Sequence, residues 1–324
     1  MSGTEALLRV EELRTWFPIR RGIFQHTVGW VRAVDSVSFE VPAGRTLALV
    51  GESGCGKTTV GLSILRLVEP RAGRVLFDGD DLAALSSQEM RARRRELQIV
   101  FQDPLGSLNP RMRVRDTIAE GMQSFGIGSS ESERTDRVAA LLERVKLDPR
   151  QMWRYPHEFS GGQRQRLCIA RALAVEPRLV ICDEAVSALD VSIQAQILNL
   201  LGELQQDLGL AYLFITHDLS VVRYLADEVA VMYLGQIVER GGTERIFETP
   251  RHPYTRGLLA AVPSVDPQRR SAAAQVLGDV PSPAHPPAGC RFHTRCPEAF
   301  DRCSEEAPEL FAVEGGRSRC FLSE

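Results

Sequence analysis

Lysine is nearly missing from this chain. Of 39 basic residues among 324, only Lys57 and Lys146 are lysines, and arginine fills every other basic position. Excess charge of one sign is also lacking: the net charge is -3, which makes no case for nucleic-acid binding through bulk charge. No apolar run approaches the roughly 18 residues that a membrane-spanning helix needs. The first residues, Met1-Ser2-Gly3-Thr4-Glu5, show no basic stretch leading into an apolar core, so no secretory leader is expected. These absences point to a cytosolic protein whose membrane role, where it has one, runs through partners. No internal repeat is visible. Apolar content of 44% and charged content of 25% are those of an ordinary globular protein, long enough for one large domain and a smaller one.

Against that background the position of Lys57 is informative. It lies in Gly51-Glu52-Ser53-Gly54-Cys55-Gly56-Lys57-Thr58, which fits the G-x-x-x-x-G-K-[ST] phosphate-binding loop. Glycines let the backbone curl so that successive N–H groups point at an anion. The apolar run Leu47-Ala48-Leu49-Val50 before it reads as a buried strand, and the segment through Val60, Leu62, Ile64, Leu65 and Val68 as a helix. A helix N-terminus adds partial positive charge at the anion. Lysine, a compact point charge on a thin stem, suits a tight glycine nest where the broad arginine fork does not. The loop residues Gly51, Ser53, Gly54, Cys55, Gly56, Lys57, Thr58 and Thr59 are therefore expected to hold nucleotide phosphates, with Lys57 on the β- and γ-phosphates and the Thr58 hydroxyl on Mg²⁺.

A second apolar run, Leu179-Val180-Ile181-Cys182, ends in Asp183-Glu184. An aspartate at a buried strand tip is suited to hold Mg²⁺, and the adjacent Glu184 is the candidate general base for the attacking water. Other strands are expected at Leu7 to Leu13, Ser36 to Val41, Arg74 to Phe77, Leu97 to Phe101 and Tyr212 to Ile215, with a loop from Pro18 to Gly29. Residues 113 to about 158 read as helical, as do Gly162 to Val175 and Ile193 to Leu208, while Leu234-Gly235 reads as a hairpin turn. Strands alternating with helices imply an α/β core with a largely parallel sheet. Proline rises from Pro250 onward, through Pro253, Pro263 and Pro267, which suggests a boundary near residue 245 and a loop-rich tail.

The motifs together resemble those of ATP-binding cassette proteins. Phe159-Ser160-Gly161-Gly162-Gln163-Arg164-Gln165-Arg166 resembles the cassette signature, with Phe159 where Leu is more usual. Gln102 looks like the Q-loop glutamine, Ser187-Ala188-Leu189-Asp190 like the D-loop, and His217 like the switch histidine. Ala185 stands where many relatives have proline. The resemblance implies a P-loop ATPase domain over residues 1–245, with a helical subdomain about 103–158. It implies catalytic roles for Glu184, His217 and Gln102, with Thr58, Gln102 and Asp183 toward Mg²⁺. Ser160, Gly161, Gly162 and Gln163, with Asp190, are expected to meet the ATP of a partner cassette. An aromatic is expected to stack on adenine: Phe17 is favoured over Trp16 and Trp30.

Four further stretches narrow the resemblance: Gln102-Asp103-Pro104 with Ser107-Leu108-Asn109-Pro110, His252 to Leu259, Gly278 to Pro283, and Gly289 to Pro297. They are similar to the ATPase subunits of bacterial dipeptide and oligopeptide importers, a group that includes nickel and glutathione importers. The implied partners are a second, non-identical ATPase, two membrane-spanning permeases and an extracytoplasmic substrate-binding protein, with no nucleic acid and no direct contact with cargo. The implied location is the cytoplasmic side of the bacterial inner membrane, held peripherally. A soluble DNA-repair cassette is disfavoured, because such proteins carry large insertions and only roughly a hundred residues separate Gly51 from Ser160. A non-catalytic regulatory subunit is disfavoured by intact Lys57, Asp183, Glu184 and His217.

Cys290, Cys296, Cys303 and Cys320 cluster in the small C-terminal region, residues 246–324. In a cytosolic protein such a cluster suggests metal more than disulfides. Four thiolates suit Zn²⁺ or a [4Fe–4S] cluster. Their wide spacing and the family resemblance lean toward the cluster, with unliganded thiols as the remaining alternative.

Overall fold

The computed structural model describes residues 6–261 and 278–324. Pro263, Pro267 and the first five residues lie outside the described residues. The chain opens with strands β1 (Ala6–Arg21), β2 (His26–Pro42) and β3 (Thr46–Val50), then helix α1 (Lys57–Ile64) and strands β4 (Ala72–Phe77) and β5 (Asp80–Asp81). Helix α2 (Ser87–Arg93) and strand β6 (Leu97–Val100) follow, then helices α3 (Pro104–Ser107), α4 (Val114–Ser124), α5 (Glu131–Arg144) and α6 (Gly161–Leu173). Strand β7 (Leu179–Asp183), helix α7 (Val191–Leu208), strand β8 (Ala211–Thr216) and helix α8 (Leu219–Leu225) come next. The chain ends with β9 (Glu228–Tyr233), β10 (Gln236–Gly242), α9 (Thr243–Glu248), α10 (Pro253–Ala260), α11 (Asp301–Glu305), β11 (Phe311–Val313) and β12 (Gly316–Ser318).

Two compact units emerge. The signature unit comprises residues 42–45 and 84–215 of the described chain. In it β7 pairs in parallel with both β6 and β8. Every residue of β7 is buried, and its unbroken apolar run LVIC is what a parallel strand covered on both faces requires. The helices α4 and α5 form a helical layer with α6. Arg115, buried on α4, ties two of them together through Glu131 of α5 at 2.8 Å and Thr135 at 3.2 Å.

The phosphate-loop unit comprises residues 6–41, 46–83 and 216–324. One sheet has the order β2-β1-β4-β5. In the other, β3 runs parallel to β9, with Val50 opposite Val231, and β9 continues antiparallel through β10 to β12 and β11. Its core gathers Val50, Val231, Tyr233, Leu234, Tyr254 and Phe292.

One expectation changes. The loop expected at Pro18 to Gly29 is a hairpin: β1 runs to Arg21 and β2 begins at His26. Its mixed composition hides the strands because the hairpin is solvated, Ile23 and Phe24 of the turn being 96% and 83% exposed. The described part of the tail is loop-rich as expected, its regular structure confined to α10, α11 and the β11–β12 hairpin, whose three-residue strands are too short to carry a period.

Candidate nucleotide site

Strand β3, fully buried, delivers the chain to Gly51. A Cβ on Gly51 would stand 2.1 Å from the Met232 carbonyl oxygen, and one on Gly56 only 2.0 Å from that of Ala33. Gly56 has φ 107° and is the N-cap of α1, so it offers no side chain to occupy the helix start. No acidic residue lies in the first turn of α1, which leaves the positive end of the helix dipole for an anion. Lys57 is 4% exposed and donates from Nζ to the carbonyl oxygens of Gly51 at 2.8 Å and Glu52 at 2.9 Å. A loop closed to side chains at Gly51 and Gly56, an uncapped helix start and a buried lysine fit a nucleoside triphosphate.

Glu52 is held at every polar group. Its N–H donates to the Tyr254 hydroxyl at 3.0 Å, its carbonyl accepts from Lys57, and its carboxylate takes a two-pronged bond from Arg295 at 2.7 and 3.0 Å. Arg295 is also stacked 5.8 Å from the Tyr233 ring. The Glu52 carboxylate, with help from Tyr233, pushes the Arg295 pKa further up. Neither Tyr254 nor Arg295 was assigned a role from sequence. Both lie more than 200 positions from Glu52, and no local pattern marks such a pair.

His217 follows β8 and is exposed. Its neighbour Asp218 donates its N–H to Thr216 Oγ1 at 3.0 Å and caps α8 by accepting from Ser220 N–H at 2.8 Å, which fixes the turn carrying the histidine. Among the aromatics, Trp16 donates to Asp35 at 3.2 Å and has the guanidinium groups of Arg32 and Arg71 about its ring at 5.0 and 4.9 Å. Arg71 also lies 4.3 Å from the Trp30 ring. Both tryptophans are thus engaged by arginine, whereas Phe17 is 39% exposed.

In the signature unit, β7 ends on Asp183, 4% exposed. Glu184 turns the chain with φ 49°, a left-handed conformation for a residue that is not glycine. Such strain costs on the order of 1–3 kcal/mol and concentrates at functional sites. The turn is fixed by the Glu184 N–H to Ile215 O bond at 2.9 Å and by Ser187 N–H to Glu184 O at 3.1 Å. Ser187 also donates its hydroxyl to Glu184 O at 3.0 Å and accepts from Gln102 Nε2 at 3.4 Å, so the glutamine and the D-loop serine meet beside the glutamate. Asp190 is the N-cap of α7.

Ser160 caps α6 with a reciprocal box: Gln163 N–H donates to its hydroxyl oxygen at 3.4 Å, and its own N–H donates to Gln163 Oε1 at 3.0 Å. This uses the hydroxyl as acceptor and leaves its proton to be donated outward. Ser160 and Gly161 are exposed. Gly162 is buried so tightly on α7 that a Cβ there would stand 2.4 Å from Ile193 Cγ2.

The metal expected in the tail is overturned. Among the described residues no group of three or more histidine, cysteine or acidic side chains is arranged to hold a metal ion, so neither the [4Fe–4S] cluster nor zinc is retained. Cys290, Cys296, Cys303 and Cys320 are free thiols lining a recess with Phe292, Phe300 and Phe321. Burial pushes the Cys290 thiol up to about 11 and raises Cys296 and Cys320 as well, which favours the protonated form over the thiolate that metals bind. Spacing and family resemblance suggest ligands where the structure has free thiols, Cys303 and Cys320 buried and Cys290 and Cys296 partly buried, packed as small apolar residues.

Comparison with known proteins now bears on the whole chain. Residues 34–187 match the family model described as "ABC transporter", and residues 238–303 match "Oligopeptide/dipeptide transporter, C-terminal region". A putative peptide import ATP-binding protein of Brucella ovis is 52% identical over 305 residues, covering 93% of this chain and 96% of the relative. The oligopeptide transport ATP-binding protein AppF of Bacillus subtilis is 51% identical over 313 residues, 95% of this chain and 94% of its own. The di/tripeptide transport ATP-binding protein DppF of Pseudomonas aeruginosa is 44% identical over 320 residues, covering 99% and 98%. Among solved structures, the dimeric bacterial ABC transporter cassette MJ0796 is similar with TM-score 0.65 and 26% identity, over 73% of this chain and 98% of that one.

Proposed function

We infer the function of this chain from the family to which it belongs, the ATP-binding subunits of ABC transporters of the oligopeptide/dipeptide class: it hydrolyses ATP to power peptide import. The observation that carries the reading is the phosphate loop in one chain with a peptide-transporter C-terminal region, matched end to end by relatives named for peptide import.

The roles follow from the chemistry of each residue. Bound Mg–ATP supplies the phosphoanhydride whose cleavage releases the free energy. Lys57 and the loop N–H groups neutralise and orient the phosphates; Thr58 and Asp183, with Gln102, are the residues suited to hold Mg²⁺. Glu184 accepts the proton of the attacking water, and His217 hydrogen-bonds the terminal phosphate. Ser160 and Gly161 present an exposed helix start, backed by Gly162 and Gln163, to the ATP of a partner cassette, which Asp190 also meets. Phe17 stacks on adenine. Such a site acts only when cassettes pair, and binding closes the pair in a gating motion of the kind that limits many turnovers.

Membrane permeases and a second cassette are the partners of such an ATPase, which is peripheral to the membrane; among the described residues no helix is long and apolar enough to cross one. The finer reading places it on the cytoplasmic face of the inner membrane, beside a non-identical second ATPase and two permeases fed by an extracytoplasmic binding protein. Reconstitution with its permeases tests this. Peptide uptake into vesicles should require ATP and vanish with Lys57→Ala; ATP hydrolysis that no peptide or peptide-binding protein stimulates would overturn it.

A further inference from the structure

Glu52 places a carboxylate inside a loop built to attract phosphate. One residue past Gly51, an unpaired negative charge there would repel a triphosphate. The carboxylate is instead claimed by Arg295, whose two guanidinium nitrogens lie 2.7 and 3.0 Å from its two oxygens and whose side chain is only 7% exposed. Tyr254 accepts the Glu52 N–H at 3.0 Å. The same tail segment reaches the far side of the loop. Arg291 donates to Leu234 O and to Asp35. The next residue, Gly235, donates its N–H to Cys55 O at 2.9 Å and accepts from Asp35 N–H at 2.8 Å. Residues 291–295 thus brace the loop at Glu52 directly and at Cys55 through the β9–β10 turn.

We propose that Arg295 is a positioning residue for ATP binding: by neutralising Glu52 and, with Tyr254, fixing its backbone, the C-terminal region sets the nucleotide affinity of its own cassette. This rests on the reading that residues 51–58 bind ATP. Arginine is required because the contact is two-pronged and planar.

The test measures KM for ATP and kcat on the full-length chain in its transporter, with direct ATP titration of the same preparations. Arg295→Met should raise KM about tenfold, as loss of a charge-assisted paired contact implies, with kcat at saturating ATP changed less than about twofold. Glu52→Gln/Arg295→Met should recover most of that loss, since the orphaned charge is gone. The single variant's deficit relative to wild type should shrink between low and high salt as screening shortens the reach of Glu52. Should Arg295→Met fold poorly, Arg295→Lys, which keeps the charge and loses the fork, should show a smaller rise in KM, again relieved by Glu52→Gln. Arg302→Gln, which breaks an exposed tail contact to Glu306 and Glu324, should leave KM unaltered. An unchanged KM in a folded Arg295 variant, or a double variant no better than the single, would overturn the proposal while leaving the ATPase assignment intact. Wild-type protein that binds no ATP, or Lys57→Ala that binds it normally, would remove the premise and the proposal with it.

Discussion

Gly56 and the carbonyl oxygen of Ala33 approach so closely that no side chain fits between them, a Cβ on Gly56 falling 2.0 Å from that oxygen. The opposing atom is backbone and cannot swing aside. Gly56→Ala should therefore combine the cost of a left-handed alanine, about 1–3 kcal/mol, with an overpacking cost of similar size. Gly54 has φ 79° but open space around its missing Cβ, so Gly54→Ala should lose only the backbone part, about 1–2 kcal/mol. Chemical denaturation and ATP titration of the two variants should rank Gly56→Ala well below Gly54→Ala; equal losses would remove the close-approach argument.

Glu184→Gln keeps size and hydrogen bonding but cannot take a proton. Nucleotide binding should persist while turnover falls by a factor on the order of 10²–10⁴, and the closed pair of cassettes should accumulate. Near-normal turnover in the purified complex would show that another group is the base.

Lys57 is buried among the carbonyl oxygens of Gly51 and Glu52, a space matched to one ammonium. Lys57→Arg preserves the charge and widens the head group. We expect ATP affinity to drop at least about tenfold, measured by titration, even though arginine serves at nearly every other basic position in the chain.

Stability should fall in mild acid because of His252. It is 1% exposed and its Nδ1 accepts from Tyr254 N–H at 3.1 Å. Burial, reinforced by the charge of Arg256 and partly offset by a hydrogen bond with the Arg319 backbone, lowers its pKa from 6.5 to about 3. Glu239, whose carboxylate accepts the His252 N–H and pairs with Arg245, is the acidic neighbour. The folded imidazole stays neutral where the unfolded one gains a proton. Its contribution is thus complete above pH 6.5 and lost as pH falls toward 3, with a slope approaching about 1.4 kcal/mol per pH unit. Denaturation midpoints from pH 7.5 to 5 should show this slope, and His252→Gln should flatten it by about one proton.

What sequence could reveal divides by distance along the chain. The apolar runs of β3 and β7, the glycine loop between β3 and α1, the helix after Ser160, and the Leu234-Gly235 turn are all encoded within a few residues, and each is found where periodicity and turn chemistry put it. The bracing of Glu52 by Tyr254 and Arg295 joins residues that only the fold brings together, so no window on the sequence contains it. The tail cysteines failed for the complementary reason: spacing reports what could ligate, but the arrangement of the four thiols beside Phe292, Phe300 and Phe321 is set by the fold, and no metal-holding group is formed among the described residues. The N-terminal hairpin leaves no alternation to read, because its tip buries nothing.

The β11–β12 hairpin has a consequence beyond the nucleotide. Without it β10 would end its sheet as a row of unpaired N–H and carbonyl groups, a template for strands of other molecules. Strand β12 covers that row from Glu239 to Gly241 and hands the exposed position to β11, which is only three residues long. A very short terminal strand is a poor template. The last residues of the chain therefore protect its solubility, and loss of residues 311–324 would be felt first as self-association during synthesis and assembly.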